Sequence, residues 1–497
     1  MELILSLMVE ERLLYKMKKI KNYINGKLVS PVENSFIKNY EPRTGKVYSL
    51  IPESKNKDVE NAIKAAKKAF VKWKNTTKEK RAEFLIAIAN EIEKEKEKFI
   101  KAESRDNGKP EWLAEKVDIP RASQNLKFFA SAILNYESKF HEMDNIAINY
   151  TLKQPVGVAG CISPWNLPLY LFTWKIAPAL ITGNTVVAKP SEITPMTAYM
   201  FSKLCIKVGL PKGVLNVVHG YGDVVGEYLT KHVDVPIISF TGGTETGKKI
   251  ANNTSKMFKK VSLELGGKNP NIIFDDCDLN LALDYTVKAS FTNQGQICLC
   301  GSRIFIQKKI YNQFKKNLIK KTSALKVGDP KNKKNFLGAV VSKDHMNKIL
   351  EKINLAKKQG GRILTGGKRK IIKGELKEGY YIEPTIIENL QNDSFINQEE
   401  VFGPVVCIMP FENEKDVIKL ANDTKYGLSS SIFTKDIDRA HRVSREINSG
   451  IVWINSWMIR DLRIPFGGMK QSGVGREGGF KSLDFFTETK NVCIKII

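Results

Sequence analysis

The stretch Val261-Ser-Leu-Glu-Leu-Gly-Gly-Lys-Asn-Pro270 divides the chain into two halves that share one strand–helix rhythm. Upstream of it, short β-type runs alternate with helical runs from about residue 155. A second such series follows from about residue 280 to residue 460. Strands joined by helices predict parallel sheets with helical crossovers. Gly266 and Gly267, within this stretch, separate the two strand–helix series. We therefore expect two α/β domains that meet at this point.

The individual elements follow from periodicity and turn signals. Residues 57–107 predict two helices and residues 118–138 a third, whereas Asn25-Gly26 predicts an early hairpin. Residues 485–497 predict a terminal strand whose open edge needs a partner. Further helices are predicted near 195–208, 222–230 and 244–254. The other predicted strands are Val156–Ile162, Thr185–Ala188, Val214–Val218, Ile237–Phe240, Val261–Leu265, Asn271–Phe274, 302–307 and 404–410.

Length and composition place the chain among ordinary globular proteins. Its 497 residues correspond to about three domains, and 42% are hydrophobic and 27% charged. Collagen-like, mucin-like and wholly disordered chains are excluded, and no apolar run reaches the roughly 18 residues of a membrane span. The chain has seven cysteines, an odd number, which argues against a disulfide scaffold. Its first residues include acids where a signal peptide carries bases. Both features predict a cytoplasmic protein. Residues 1–16 have the character of an upstream extension.

The charge balance is strongly positive, with 79 basic and 53 acidic residues and a net charge of +26. A nucleic-acid partner is one interpretation, which a steep salt dependence of binding would support. However, 65 of the basic residues are lysines spread over the whole length and only 14 are arginines. This distribution favours a solvated surface, no nucleic acid and no membrane partner, and it predicts attraction for anionic substrates.

Phe291-Thr-Asn-Gln-Gly-Gln-Ile-Cys298-Leu-Cys300-Gly-Ser-Arg303 places a cysteine between glycines at a helix-to-loop transition. Small neighbours allow a substrate to approach closely, and a cysteine becomes a strong nucleophile when its surroundings lower its pKa. Cys298 can equally be an inert buried thiol. A zinc site on Cys298 and Cys300 lacks two further ligands at suitable spacing, so no metal is predicted.

Two other side chains suit the chemistry of a nucleophilic cysteine. Glu264 ends an apolar strand, where desolvation would raise its pKa toward the range of a general base. A solvated or lysine-paired acid is the alternative. Asn166 lies between Pro164 and Pro168, which would hold its amide as an oxyanion donor, although asparagine and proline are also ordinary turn residues.

Three further segments indicate a dinucleotide site. Lys189 and Glu192 follow an apolar strand, where an acid binds the ribose hydroxyls and repels a 2′-phosphate, so NAD is favoured over NADP. Gly242-Gly243 forms a strand–turn–helix junction suited to a pyrophosphate. Glu400 and Phe402 precede a second-domain strand and could contact the nicotinamide ribose. Taken alone, Lys189 and Glu192 could equally form a surface ion pair, and Glu400 and Phe402 could belong to ordinary turns. Together with Cys298 and the two residues above, these segments predict oxidation of an aldehyde through a thioester.

In this order and chemistry, the segments resemble the NAD(P)-dependent aldehyde dehydrogenase superfamily from about residue 20 to residue 497. The resemblance implies an α/β fold with a Rossmann-like NAD-binding domain, an α/β catalytic domain and a β oligomerisation element that forms homodimers or homotetramers. It divides the chain into an N-terminal extension at 1–19, an NAD-binding domain at 20–135 and 155–265, a catalytic domain at 266–465, and an oligomerisation element at 136–154 and 480–497.

The resemblance also implies a role for each site residue. Cys298 is the nucleophile, Glu264 the base for deacylation, and the Asn166 amide and Cys298 N–H the oxyanion hole. The family often has serine where Gly243 stands, so one hydroxyl contact is missing. The residues implied to contact NAD are Ser163, Trp165, Lys189, Glu192, Gly222, Phe240, Gly243, Glu400 and Phe402.

Within the superfamily, Pro164–Pro178, Gln294–Cys300 and Trp457–Gly468 are similar to the 2-aminomuconic and 2-hydroxymuconic semialdehyde dehydrogenases of aromatic catabolism. Arginine is scarce, yet Arg121, Arg460 and Arg463 fall near these segments, and a guanidinium binds a carboxylate bidentately. We expect a carboxylate-bearing aldehyde as substrate. Surface ion pairs would make these arginines incidental, which would fit a broad-specificity enzyme for aliphatic or betaine-type aldehydes. A non-catalytic binding or structural protein on the same fold is the alternative of another class.

Overall fold

The computed structural model describes residues 17–496, and the predicted extension at 1–16 lies outside these residues. Its first sheet has eight strands, of which the central five are parallel. Chain order reverses between the neighbours Val158–Ile162 and Ile237–Thr241, which creates the crevice where α/β sheets bind ligands. In spatial order the strands are Gly473–Val474, Lys260–Glu264, Ile237–Thr241, Val158–Ile162, Thr185–Lys189, Leu215–Val217, Asn22–Ile24 and Lys27–Val29.

The predicted strands, the Asn25-Gly26 hairpin and the helices predicted near 195–208 and 244–254 are confirmed within one or two residues, but the other predicted helices of this half need correction. Residues 57–107 form three helices instead of two, because the chain leaves helical geometry at Glu95 (φ −100°, ψ 18°). No glycine, proline or capping residue signals that break. The helices of this half are Asn56–Trp73, Lys78–Lys94, Lys96–Asn107, Glu111–Leu113, Ile119–Ala132, Pro168–Ile181, Met196–Lys207, Glu227–Lys231 and Thr244–Ser255.

Two of the helical segments begin with wide π-type turns, Ala114–Asp118 and Gly222–Gly226. The turn Gly222–Gly226 replaces the first half of the helix predicted near 222–230. The turn Ala114–Asp118 precedes the helix predicted over 118–138. That helix itself ends at Ala132 and continues as the short 3-10 turn Ile133–Asn135.

The second sheet has seven strands and begins directly after the Gly266-Gly267 break. All neighbours are parallel except the edge strand Arg362–Thr365. In spatial order the strands are Arg362–Thr365, Thr385–Glu388, Val405–Phe411, Gly301–Gln307, Asn269–Ile273, Ser429–Phe433 and Ile451–Ile454. The helices packed on it are Leu279–Phe291, Tyr311–Ser323, Lys343–Lys358, Glu414–Asn422 and Ile437–Glu446.

A separate antiparallel sheet consists of Phe140–Met143, Ala147–Pro155 and Thr487–Lys495. The predicted terminal strand is confirmed, and it pairs with Ala147–Pro155 over nine residues, from Thr487 opposite Pro155 to Lys495 opposite Ala147. The other edge of strand Thr487–Lys495 carries no strand of the described chain.

A further sheet has three strands, which are, in spatial order, Lys18–Lys19, Lys46–Pro52 and Phe36–Glu41. Lys18 and Lys19, which the predicted extension of residues 1–19 includes, are therefore paired within the fold. None of the helices in residues 17–496 is long and apolar enough to cross a membrane.

The chain returns from the second sheet to the first through residues 466–479, which the predicted division assigns to no domain. Val474 pairs with Leu263, and Gly473 pairs with Glu264 at the end of its strand. Leu265 N–H donates to the Ser472 carbonyl at 2.9 Å. These contacts bring residues from both sheets around Glu264 and the start of the second half.

Candidate active site

Cys298 follows a tight left-handed turn at the end of helix Leu279–Phe291. Asn293, Gln294 and Gly295 have φ angles of 53°, 57° and 71°. A Cβ on Gly295 would lie 2.1 Å from the Gly403 carbonyl oxygen, so only glycine fits there. Such strained backbone persists only where surrounding structure enforces it, and it is frequent at functional sites.

The backbone around Cys298 is held by Asn269, which begins the first strand of the second sheet. Its Nδ2 donates to the carbonyls of Cys298 at 2.7 Å and Cys300 at 2.9 Å. Its Oδ1 accepts from the Ser429 N–H at 3.0 Å, which ties this loop to the neighbouring strand. The Cys298 side chain itself remains partly accessible. The Cys298 sulfur is thus presented on a firmly held loop at the meeting point of both sheets.

The electrostatic surroundings of Cys298 oppose ionisation. Burial raises the pKa of its thiol, the carboxylates of Glu400 and Glu264 raise it further, and only Arg460 acts in the opposite direction. The lowering of the pKa that would activate the thiolate therefore does not come from the protein groups of this site. Both carboxylates are near enough to influence the ionisation of the thiol.

Glu264 ends strand Lys260–Glu264 with its side chain buried at 4% exposure. Burial and the nearby Glu477 carboxylate raise its pKa well above the usual range, while Lys175, Arg476 and Arg460 counteract part of this effect. Its Oε1 has no hydrogen-bond partner in the described chain. The predicted effect of an apolar strand on the pKa of this acid is therefore confirmed in direction.

Asn166 lies in the loop between strand Val158–Ile162 and helix Pro168–Ile181, where its side chain is buried. Its Nδ2 donates to the Gln296 carbonyl at 3.1 Å, two residues before Cys298. The amide has two N–H groups, so one remains for a substrate oxygen. This contact places Asn166, the predicted oxyanion donor, against the loop that carries Cys298, the predicted nucleophile.

Seven of the nine predicted cofactor residues line one cavity of about 690 Å³ at the crevice of the first sheet. Gly243 caps helix Thr244–Ser255, whose free N–H groups suit a pyrophosphate, and a Cβ on Gly243 would meet nothing within 4 Å. The seven residues are Ser163, Trp165, Lys189, Glu192, Gly222, Phe240 and Gly243.

Glu400 and Phe402 lie apart from that cavity and line a small one together with Cys298. The Gly267 N–H donates to Glu400 Oε1 at 3.0 Å, and burial raises the pKa of Glu400 to about 7. The Phe402 ring contacts the Trp165 ring edge-on, with centroids 5.1 Å apart. Trp165 thus connects the larger cavity to the compartment of the cysteine.

At the other end of the larger cavity, Lys189 Nζ lies 2.6 Å from Glu192 Oε2. Although burial alone would raise it, the pKa of Glu192 is lowered because Lys189 lies against the carboxylate. Glu192 is therefore ionised at neutral pH and able to accept hydrogen bonds from two ribose hydroxyls. The Lys189 side chain is almost fully buried, so water screens its attraction to the Glu192 carboxylate only weakly.

Two of the three predicted substrate arginines converge on Tyr170. The Arg460 guanidinium donates to the Tyr170 hydroxyl at 3.0 Å and lies over the Phe466 ring, 4.0 Å from its centroid. The Arg121 guanidinium lies 5.8 Å from the Tyr170 ring centroid. Arg463 is not part of this group, because it is 81% exposed and paired with its near neighbour Asp461 at 2.6 Å.

Comparison with known proteins agrees with this geometry. The sequence profile of the Aldehyde dehydrogenase family matches residues 29–492. The chain belongs to the aldehyde dehydrogenase family. Among curated relatives, 2-aminomuconic semialdehyde dehydrogenase of Homo sapiens is 47% identical over 479 residues, covering 96% of this chain and 98% of the relative. The 2-hydroxymuconic semialdehyde dehydrogenase of Pseudomonas sp. (strain CF600) is 42% identical over 486 residues, covering 97% and 100%.

Solved structures give the same family fold. The NAD+ complex of aldehyde dehydrogenase from Bacillus cereus superposes with a TM-score of 0.94 at 37% identity and covers 98% of each chain. A betaine aldehyde dehydrogenase from Staphylococcus aureus in complex with NAD+ gives a TM-score of 0.93 at 38% identity, covering 97% of each chain. The predicted family and α/β fold are confirmed, and the chain is an oxidoreductase that acts on aldehydes with a nicotinamide dinucleotide.

In this aldehyde dehydrogenase, one cluster next to Glu264 was missed by the sequence-based prediction. Lys175 Nζ lies 2.9 Å from Glu477 Oε1, and both side chains are buried. The hydroxyls of Ser239 and Ser262 donate to the same oxygen at 3.2 and 3.3 Å. A single lysine within the otherwise apolar helix Pro168–Ile181 is the sequence signal that could have revealed it.

Proposed function

We propose that this enzyme oxidises a carboxylate-bearing semialdehyde, 2-aminomuconic or 2-hydroxymuconic semialdehyde, to the corresponding acid with NAD as the cofactor. The single observation that carries the substrate class is the approach of two guanidinium groups, those of Arg460 and Arg121, to Tyr170. Two cations at one tyrosine, of which Arg460 also acts on the pKa of Cys298, fit an anionic aldehyde. The Homo sapiens and Pseudomonas relatives, which are named for these two semialdehydes, support the same substrates.

In the first half-reaction, the Cys298 sulfur bonds to the aldehyde carbon and its proton passes to a carboxylate or to water. The carbonyl oxygen becomes an oxyanion that the Asn166 amide and the Cys298 N–H stabilise by hydrogen bonds. Oxidised NAD, when bound, supplies the hydride acceptor. Loss of hydride from the carbon and collapse of the oxyanion leave a thioester on Cys298.

In the second half-reaction, Glu264 takes a proton from water while the water oxygen bonds to the thioester carbon. The carbon–sulfur bond then breaks, the acid leaves and the sulfur recovers its proton. Glu264 suits this role because it is buried, has a raised pKa and carries an oxygen without a partner.

NAD is favoured over NADP at the ribose end of the large cavity. The ionised Glu192 carboxylate would accept the ribose hydroxyls and repel a 2′-phosphate. Gly222, Phe240 and Gly243 leave room for the remainder of the dinucleotide in the cavity of about 690 Å³. Glu400 and Phe402 would then hold the nicotinamide ribose beside Cys298.

We also propose the division into an NAD-binding domain at 20–135 and 155–265, a catalytic domain at 266–465 and an oligomerisation element at 136–154 and 480–497. The two separate sheets and the small sheet of Thr487–Lys495 support it. The open edge of that small sheet is a surface for pairing two or four copies of the chain. Seven cysteines without a disulfide support a reducing cytoplasm.

The substrate proposal is tested by comparing kcat/KM for 2-hydroxymuconic semialdehyde, hexanal and betaine aldehyde with NAD+. We expect the anionic semialdehyde to be favoured over hexanal and betaine aldehyde to be the poorest, because its cation would face Arg460. Arg121→Ala should lower kcat/KM for the semialdehyde by roughly tenfold or more and leave hexanal unchanged. Arg460→Ala should lower kcat/KM for both aldehydes, and more for the semialdehyde, because Arg460 also favours ionisation of the Cys298 thiol. Arg463→Ala is the control. Equal values for the three aldehydes would instead support a broad-specificity enzyme.

A further inference from the structure

The backbone carbonyl of Asn166 is surrounded by buried side-chain donors. Lys109 Nζ and Asn293 Nδ2 each donate to it at 3.0 Å, and Asn107 Nδ2 approaches it at 3.4 Å. Asn107 also donates to the preceding carbonyl, that of Trp165, at 2.9 Å. An ordinary loop carbonyl needs one such donor, so this loop is held far more firmly than satisfaction of its polar atoms requires.

Among these donors Lys109 is distinct because it carries a charge. Its ammonium lies 2.9 Å from Asp118 Oδ2, and neither side chain has any solvent exposure. A buried ion pair is costly to desolvate and adds little stability compared with apolar residues of similar volume. Its presence directly beneath the loop of the oxyanion donor therefore points to a role in the reaction rather than in stability.

Asp118 connects this pair to the substrate side of the enzyme. It is the last residue of the π-type turn Ala114–Asp118, and helix Ile119–Ala132 follows immediately with Arg121 as its third residue. Wide turns of this kind are rare and occur frequently at functional sites. Through one ion pair, the loop of Asn166 and the helix of Arg121 are fixed relative to each other.

We propose that Lys109, paired with Asp118, is a positioning residue for aldehyde oxidation that acts through Asn166. It does not touch the substrate. It fixes the Asn166 backbone, and with it the direction in which the side-chain amide meets the oxyanion on the Cys298 adduct. The inference rests on the proposed role of Asn166. The expected effect is large, because a misplacement of a catalytic group by about 1 Å can slow a reaction by about a hundredfold.

The test replaces the pair with apolar residues, Lys109→Met/Asp118→Leu, because Lys109→Met alone would leave a buried unpaired carboxylate. Asp118→Asn is a milder second variant that retains the lysine but removes the charge that orients it. Lys259→Met is the matched control, since the Lys259 ammonium is also buried and donates to two backbone carbonyls, those of Thr230 and His232, at 2.8 and 2.6 Å.

The readout is the rate of the first NADH turnover after mixing with saturating aldehyde and NAD+. We expect Lys109→Met/Asp118→Leu to slow it by roughly tenfold or more and Asp118→Asn to slow it by less, with the Kd for NAD+ unchanged. Lys259→Met should keep the native rate. Native rates in both pair variants would overturn the inference.

Combination with Asn166→Ala separates positioning from general damage to the structure. Asn166→Ala alone should slow the first turnover by on the order of a hundredfold. If Lys109 acts through Asn166, adding either pair variant to Asn166→Ala slows it no further, whereas independent effects multiply. Multiplied effects would overturn the inference. Loss of the proposed function itself would be distinguishable, because the native enzyme would then form no NADH with any semialdehyde.

Discussion

The hydrogen bond of 3.0 Å from the Arg460 guanidinium to the Tyr170 hydroxyl links the two halves of the chain at the substrate side of the site. Arg460 also lies over the rings of Phe466 and Trp174, at 4.0 and 5.8 Å from their centroids. Aromatic faces and a neutral hydroxyl orient a guanidinium without neutralising its charge. The charge of Arg460 therefore remains available for a substrate anion.

Removal of the Tyr170 hydroxyl should loosen Arg460 without removing its charge. We expect Tyr170→Phe to raise KM for a carboxylate-bearing semialdehyde by roughly two- to tenfold, as for the loss of one hydrogen bond, with little change in kcat. Steady-state kinetics with the semialdehyde and with hexanal measure this. A rise in KM of the same size for hexanal would contradict the assignment, because hexanal has no carboxylate for Arg460 to bind.

Glu264→Gln should separate the two half-reactions. The first NADH should still form, at one per site, whereas steady-state turnover should fall by about a hundredfold or more because water lacks its base. Burst amplitude and steady-state rate from one stopped-flow experiment measure both effects. A steady-state rate that stays native would remove Glu264 from the proposed mechanism.

The raised pKa of Glu264 gives this deacylation a pH dependence with a defined sign. A carboxylic acid with a raised pKa is protonated at lower pH and becomes a base only as the pH rises through that pKa. The hydrolysis rate of the native acyl-enzyme should therefore increase with pH, and the rise should lie at higher pH than for an ordinary glutamate. The residual rate of Glu264→Gln should lack this rise.

Much of the fold and the chemistry could be predicted from the sequence because the signals are local. Val158–Ile162, Thr185–Lys189 and Ile237–Thr241 are short apolar runs with polar ends, and each is a strand within one or two residues of its predicted bounds. The residues at their carboxyl ends converge because parallel strands end at the same edge of a sheet. Hence Ser163, Lys189 and Gly243 line one cavity.

The remainder depends on contacts between distant parts of the chain. The break at Glu95 has no local signal. The pKa of Cys298 is raised by burial and by the carboxylates of Glu400 and Glu264, which lie more than 30 residues away along the chain on either side. Arg463 was grouped with Arg460 by proximity in sequence. The structure separates them because a neighbouring acid, Asp461, binds Arg463 at the surface.

Gly243→Ser should strengthen cofactor binding. The backbone at this position (φ −70°, ψ 147°) accepts any residue, and a Cβ there meets nothing within 4 Å. A serine hydroxyl at the start of helix Thr244–Ser255 could donate to the pyrophosphate, for a gain in affinity of roughly two- to tenfold. Titration of NAD+ by protein fluorescence measures the Kd. Gly243→Ala fills the same space without a hydroxyl, so an equal gain in both variants would show that the hydroxyl is not the cause.

The pH dependence of deacylation should also respond to Glu477, which never contacts the substrate in the proposed mechanism. Its carboxylate is the nearby charge that raises the pKa of Glu264, and Lys175 lowers that pKa. Glu477→Gln removes the negative charge yet retains an oxygen that can accept from Lys175 Nζ, now 2.9 Å from Glu477 Oε1. Both consequences favour ionisation of Glu264, so its pKa should fall.

The midpoint of the rate–pH profile for acyl-enzyme hydrolysis should therefore move to lower pH in Glu477→Gln. Glu412→Gln is the control, because Glu412 is an exposed acid paired with Lys308 at 2.5 Å. A shift toward higher pH would mean that the loss of the Lys175 ion pair rearranges the cluster and buries Glu264 more deeply. An unchanged midpoint would mean that another group controls the profile, and Glu264 would then not be the titrating base.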